Sequence, residues 1–359
     1  MTATPVDRQG EDASIEALRG LAALVVVGSH YAHLVTGVPG AWGFAATGVD
    51  LFFVLSGYVF APYFFGRPLA WGPHLVRRGF RLYPLYLVAL ALYVALKLPG
   101  PGATRYLVDH LFMAHTLRSL DIAFYYNAAF WSLPPEVEFY LLLPLVAATL
   151  RGRGFAGVFL VALAMHMALI AVAPVGQGVT PAAIASVHLP GVLVEFGLGS
   201  LAWQVARDRA PVGWGRRPQR FFLGLAVLVA MVWLYTAFIA PDPQAAANTW
   251  PWISGNIGLG AALGYALVVS AVAGRPNPKG WRLRLCLLGG ELSYGVYLFH
   301  NALPQMRAKF GWPLQGWAAV AVCLAATLAL AYVLHHAVEA PARNFGRDLS
   351  RRLARRQPA

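Results

Sequence analysis

IEALRGLAALVVVGSHYAHLVT, residues 15 to 36, decides the fold. At about 1.5 Å per residue this apolar run is long enough to cross roughly 30 Å of hydrocarbon as a helix. Arg19 and His30 are eleven positions apart, about three turns plus 20°, so both side chains lie on one face. Their attachment points are roughly 16 Å apart along the axis, which sets one near a membrane surface and the other well inside. Glu16 and His33 fall on the same face. Ionisable groups at membrane depth normally face a protein interior or a wet cavity, so the stripe is a candidate site. Taken alone, the two residues fit equally well an Arg snorkelling at the cytoplasmic border and a His hydrogen-bonded between helices.

The remainder of the chain repeats this pattern. Of its 359 residues 58% are hydrophobic and 12% charged, where soluble proteins carry about 25% charged residues. Further apolar runs fall at about 44–66, 82–98, 130–150, 154–173, 185–206, 221–240, 251–273, 285–303 and 315–337. This is an all-α integral membrane protein of about ten crossings. The basic stretch RPLAWGPHLVRRGFRLYP, with Arg67, Arg77, Arg78 and Arg81, is cytoplasmic by the positive-inside rule, and it sets both termini in the cytoplasm. On that threading only Lys97, Arg105, Arg118, Arg307 and Lys309 of the 28 Lys and Arg residues lie outside, while Arg151 and Arg153 bring the fourth span inside. Residues 99 to 129, with Asp109, His110 and His115, read as a surface or re-entrant helix. Pro134, Pro135 and Pro144 argue against a continuous regular helix at the outer end of the fourth span. The division is a polar cytoplasmic tail at 1–14, one transmembrane domain at 15–340 and a basic cytoplasmic tail at 341–359.

These features exclude several classes. The net charge of +13 is scattered through short loops rather than gathered on one face, which speaks for topology and against nucleic acid. No connection is long enough for a separate extracytoplasmic module. Cys286 and Cys323 have neither metal nor redox spacing and read as packing residues. His30 and His33, at i,i+3, are a poor match to the helical zinc pair, so no metal is expected.

Depth brings other residues into play. His30, Asp50, Glu136 and Glu138 each fall about six residues from the outer end of a span, so they could share one level. An imidazole beside a carboxylate in a low-dielectric cleft has the parts for general-base catalysis. No serine nucleophile is needed: Ser29 points about 100° away from His30, and Ser56 sits in a Ser-Gly-Tyr context that suits close packing. Arg78 and Arg81, three apart on one helical face, are guanidinium forks suited to phosphate, although they also serve the topology signal.

Six stretches in order resemble the membrane acyltransferase family 3, multi-spanning enzymes that acylate glycans, lipids and some antibiotics. They are Arg19 with His30, GVDLFFVLSGY at 48–58, Arg78 with Arg81, FWSLPPEVEFYLLLP at 130–144, ELSYGVYLFH at 291–300 and VEAPAR at 338–343. The resemblance implies about ten helices, a catalytic His30 supported by Glu136 or Asp50, and Arg19, Arg78 and Arg81 binding an acyl-coenzyme A donor from the cytoplasm, acetyl-coenzyme A being the commonest. It makes Trp131, Ser132, Tyr140 and His300 the substrate-binding candidates, for a glycan, lipid or small-molecule acceptor reached from outside a plasma membrane. One departure is that Pro134 and Pro135 precede Glu136, and the second acid is shifted to Glu138. The rival class is a transporter or flippase, but the Gly/Pro interruptions do not recur in corresponding halves as its broken helices would.

Overall fold

The computed structural model describes residues 12–150, 154–172, 180–207 and 216–356, and no strand occurs among them. Residues 1–11 of the N-terminal tail, and Arg151 and Arg153, lie outside the described residues. Helix α1 is Ala13–Tyr31, α2 Gly48–Phe64 and α3 Trp71–Lys97. Two one-turn helices, α4 (Leu107–Leu111) and α5 (Leu120–Phe124), come before α6 (Leu133–Leu150) and α7 (Phe155–Val172). The short α8 (Pro181–Ser186) leads into α9 (Leu189–Arg207), then α10 (Arg216–Leu234), the short α11 (Pro243–Thr249) and α12 (Pro251–Val272). The chain closes with α13 (Trp281–Phe299), α14 (Ala302–Phe310), α15 (Gly316–Leu334) and α16 (Ala340–Arg356).

Among the described residues eight helical stretches are long and apolar enough to cross a membrane. The protein is therefore a multi-pass helical membrane protein. Helices α6 and α13, counted as spans from the sequence, stand outside that set. Helix α13 opens with Arg282 and Arg284, and α6 puts Phe139, Tyr140, Leu143 and Val146 in the central core while Leu141 and Leu145 are exposed.

Helix α1 starts where Asp12 caps it, its Oδ1 accepting from Ser14 N at 2.9 Å while its Oδ2 accepts from Gly274 N at 2.6 Å. Because lipid offers no hydrophobic drive between helices, close approach must come from small residues. Gly20 of α1 lies so near Gly289 of α13 that a Cβ on it would sit 2.9 Å from the Gly289 Cα. In the same way Gly57 of α2 faces the Phe196 backbone and Gly199 of α9 faces the Val54 carbonyl, and Ser200 Oγ donates to Gly57 O at 3.1 Å. Aromatic rings fill the space between α2, α6 and α9, with Phe139 stacked on Phe196 at 4.1 Å.

Helix α3 runs from Trp71 through the basic stretch, with Pro73 in its first turn and Pro84 inside it. Two sequence expectations are corrected. The prolines of α6 do not prevent a continuous helix: Pro134 and Pro135 occupy its first turn, after a 3₁₀ turn at Ala128–Ser132, and Pro144 is accommodated inside it. Residues 99–129 hold two short helices tied to the bundle, with Tyr86 and Tyr126 donating to the carbonyls of His110 (2.8 Å) and Ala103 (2.7 Å). Here the rings of His110 and His115 stack at 4.4 Å, His115 Nε2 lying 3.0 Å from Phe130 O. Burial, with His110 beside it, pulls the His115 imidazole down to about 4.

Candidate active site

A cavity opens between α1, α2, α3, α6 and α13. Its polar lining is Arg19, Ser56, Arg78, Arg81, Ser132, Glu136, Tyr140 and Ser293, and Phe52, Phe53, Phe60, Tyr294 and Tyr297 supply aromatic walls. Helical spacing explains the groupings. Arg78 and Arg81 share a face of α3 by i,i+3; Glu136 and Tyr140 share a face of α6 by i,i+4, so that the Tyr140 hydroxyl donates directly to Glu136 Oε1. Glu16, three residues before Arg19, has its Oε1 3.8 Å from the Arg19 Nε.

The guanidiniums are unevenly satisfied. Arg78 lies over the rings of Phe60 (5.1 Å) and Tyr140 (5.6 Å), and its buried Nε has no hydrogen-bond partner. Arg81 is faced electrostatically by Glu136, Glu339 and Glu16. Glu339 is itself held by His335 Nδ1 at 3.0 Å and by Arg343 at 3.6 Å, in a π-helical turn at His335–Glu339. Three cations and one hydroxyl-bonded carboxylate converge on an enclosed, largely aromatic space. That arrangement suits an anionic group with bidentate geometry.

His30 is not among the lining residues. It occupies the last turn of α1, partly exposed, with its ring 4.9 Å from the His300 ring. His300 in turn contacts the ring of Tyr297, at 6.1 Å, and Tyr297 does line the cavity. The Tyr297 hydroxyl donates to Ala129 O at 2.7 Å and lies 2.6 Å from Ser132 Oγ. Trp131 packs edge-on against Phe53 at 6.3 Å.

The expected outer cluster of His30, Asp50, Glu136 and Glu138 does not form as one group. Asp50 turns to α9, where its carboxyl hydrogen-bonds that of Glu195 and packs against Gly258 of α12. Glu138 points the opposite way from Glu136 around α6: its Oε1 meets His188 Nδ1, and its Oε2 accepts from Leu189 N at 3.0 Å, capping α9. Equal depth puts residues in one plane without choosing which face of each helix they occupy. Tyr297, Tyr294, Glu195 and Glu339 were not picked out as site residues, although the two tyrosines and Glu339 lie in the motif stretches 291–300 and 338–343.

No solved structure matches the chain. Nodulation protein 10 of Rhizobium leguminosarum bv. viciae is 25% identical over 382 residues, covering 96% of this chain and 97% of that protein. A family model described as an acyltransferase domain matches residues 12–336, which takes in all of α1 to α15 and every residue lining the cavity. The chain belongs to the membrane acyltransferase family 3.

Proposed function

We propose that the protein is an O-acyltransferase of the plasma membrane that takes an acyl group, acetyl in the first instance, from cytoplasmic acyl-coenzyme A and transfers it to a hydroxyl of a glycan or other acceptor reached from outside. Ten crossings with both termini in the cytoplasm go with this reading. The observation that carries it is the convergence of Arg19, Arg78 and Arg81 with the Glu136–Tyr140 pair on one cavity inside a helical bundle. The guanidiniums would hold the phosphates and donor arm, with the unpartnered Arg78 Nε as one free donor. The thioester would reach past Ser132 and Tyr297 toward His30, which takes the proton of the acceptor hydroxyl. Trp131 and His300 would meet the acceptor side.

Titration of the purified protein in nanodiscs with acetyl-coenzyme A, read by calorimetry and by release of free thiol, tests this. Wild type should bind saturably and release thiol, the acyl group passing to water where no other acceptor hydroxyl is added. His30→Ala should keep binding and lose about 10² to 10⁴ in rate. Arg78→Ala should weaken binding chiefly. If no acyl-coenzyme A of any chain length binds, the donor assignment is wrong.

A further inference from the structure

A catalytic imidazole needs its second nitrogen held, and the two carboxylates expected to hold that of His30 are engaged elsewhere, Asp50 with Glu195 and Glu136 with Tyr140. Another imidazole stands in their place. His300 follows α13 directly and is fully buried, and its Nδ1 lies 2.8 Å from the carbonyl oxygen of Tyr297. A carbonyl only accepts, so Nδ1 carries the proton and Nε2 is left with a bare lone pair. That Nε2 has no hydrogen-bond partner, a costly condition for a buried polar atom. The His30 and His300 ring centroids are 4.9 Å apart with planes inclined by 51°, about the separation that an N–H···N bond between two imidazoles produces.

We infer that His300 is the positioning residue for His30, its Nε2 accepting the N–H of the nearer His30 nitrogen and leaving the other nitrogen of His30 free as base. The bond forms when the His30 ring turns an N–H toward Nε2. The inference rests on the proposed acyl transfer. In that reaction the acceptor oxygen bonds to the thioester carbonyl carbon as its proton passes to His30. The C–S bond then breaks, and the same proton goes to the leaving thiolate. Throughout, the developing imidazolium donates its other N–H to His300, a neutral acceptor that adds no negative charge to the membrane interior. The titratable groups packed about the pair are Tyr31 and His33 on the α1 side, Tyr297 on α13 and, through Tyr31, Tyr93 on α3 and Cys323 on α15, the last faced by Arg307 on α14. None is a carboxyl group.

His300→Phe keeps a ring and removes both nitrogens, whereas His300→Gln restores a polar atom near the place of Nε2. In the phenylalanine variant thiol release should fall tenfold or more with acetyl-coenzyme A affinity within about twofold of wild type, and the acidic limb of its pH–rate profile should move; the glutamine variant should recover part of both. An unmoved profile, or a rate loss shared equally by both variants, makes His300 a packing residue and overturns the inference. Nitrogen-15 NMR of histidine-labelled protein gives a reading independent of turnover, with the His300 signals identified by their loss in the phenylalanine variant. A protonated Nδ1 and an accepting Nε2 are expected, and a protonated Nε2 overturns the inference even in active protein. Wild type with the expected tautomer that binds no acetyl-coenzyme A would count against the acyl-coenzyme A reading instead.

Discussion

His115 carries no solvent-accessible surface, and its Nδ1 has no partner, so a proton added there would be buried beside the stacked ring of His110. Its ionisation lies at about 4 in the folded chain against 6.5 for an ordinary imidazole. The unfolded chain therefore binds more protons than the folded one between these values. The stabilising contribution is fully present above about 6.5 and is lost as pH falls toward 4. Thermal melts between pH 7.5 and 4.5 should show the midpoint dropping through this window, with a shallower drop in His115→Gln. At this scale the sequence was informative where one helix carries both members of a pair. Arg78 with Arg81 follows from a spacing of three, whereas Glu136 with Tyr140, at a spacing of four, was hidden by prolines that argued against a regular helix there. Partners from distant helices were not legible: Glu195 is far along the chain from Asp50, His188 from Glu138 and His300 from His30, and periodicity says nothing about which helix a face will meet.

Elements depend on how closely their backbones approach. Helices α2 and α9 meet with Gly57 against the Phe196 backbone and Gly199 against the Val54 carbonyl, so neither site has room for a Cβ. Gly57→Val should destabilise the bundle by about 1–3 kcal/mol or more through overpacking, seen as a lower melting midpoint in detergent. An unchanged midpoint would mean that the two helices separate without cost. The same contact holds Asp50 on α2 against Glu195 on α9, so its loosening should also expose that acid pair to water. The sequence displayed Ser56-Gly57-Tyr58 as a close-packing signal; Gly57 makes that contact, while Ser56 lines the cavity. It did not reveal that Glu138 caps α9, because a side chain that caps a helix some fifty residues later leaves no local mark.

Across the whole molecule, the C-terminal helix returns to brace the helix that carries two of the three arginines. Helix α16 lies along the first half of α3, with Phe345 against Phe80 at 5.1 Å, Ser350 Oγ donating to Pro73 O at 2.9 Å, and Gly346 so close that a Cβ would sit 2.5 Å from that of Phe80. The basic tail is thus a docked helix, with Arg347, Arg351, Arg352 and Arg355 on its exposed side. Phe80 stands between Arg78 and Arg81 in sequence. Gly346→Leu should therefore push α16 off α3 and weaken acetyl-coenzyme A affinity several-fold, with the rate at saturation largely kept. Calorimetry and saturated thiol release on the same preparation separate the two effects, and an unaltered affinity would make α16 an independent appendage.

The pairing of α1 with α13 has a consequence for how the protein comes into being. Arg19 and Tyr297 are 278 residues apart in the chain, yet they line the same cavity, and the Asp12 cap of α1 is completed by the amide of Gly274. At about 5–20 residues per second, roughly a quarter of a minute to a minute separates the birth of the first wall from that of the last. Throughout that interval a helix bearing Glu16, Arg19 and His30 sits in the bilayer without its final neighbour. A chain released before α13 emerges leaves the face of α1 at Gly20 without Gly289 against it and the cavity one wall short.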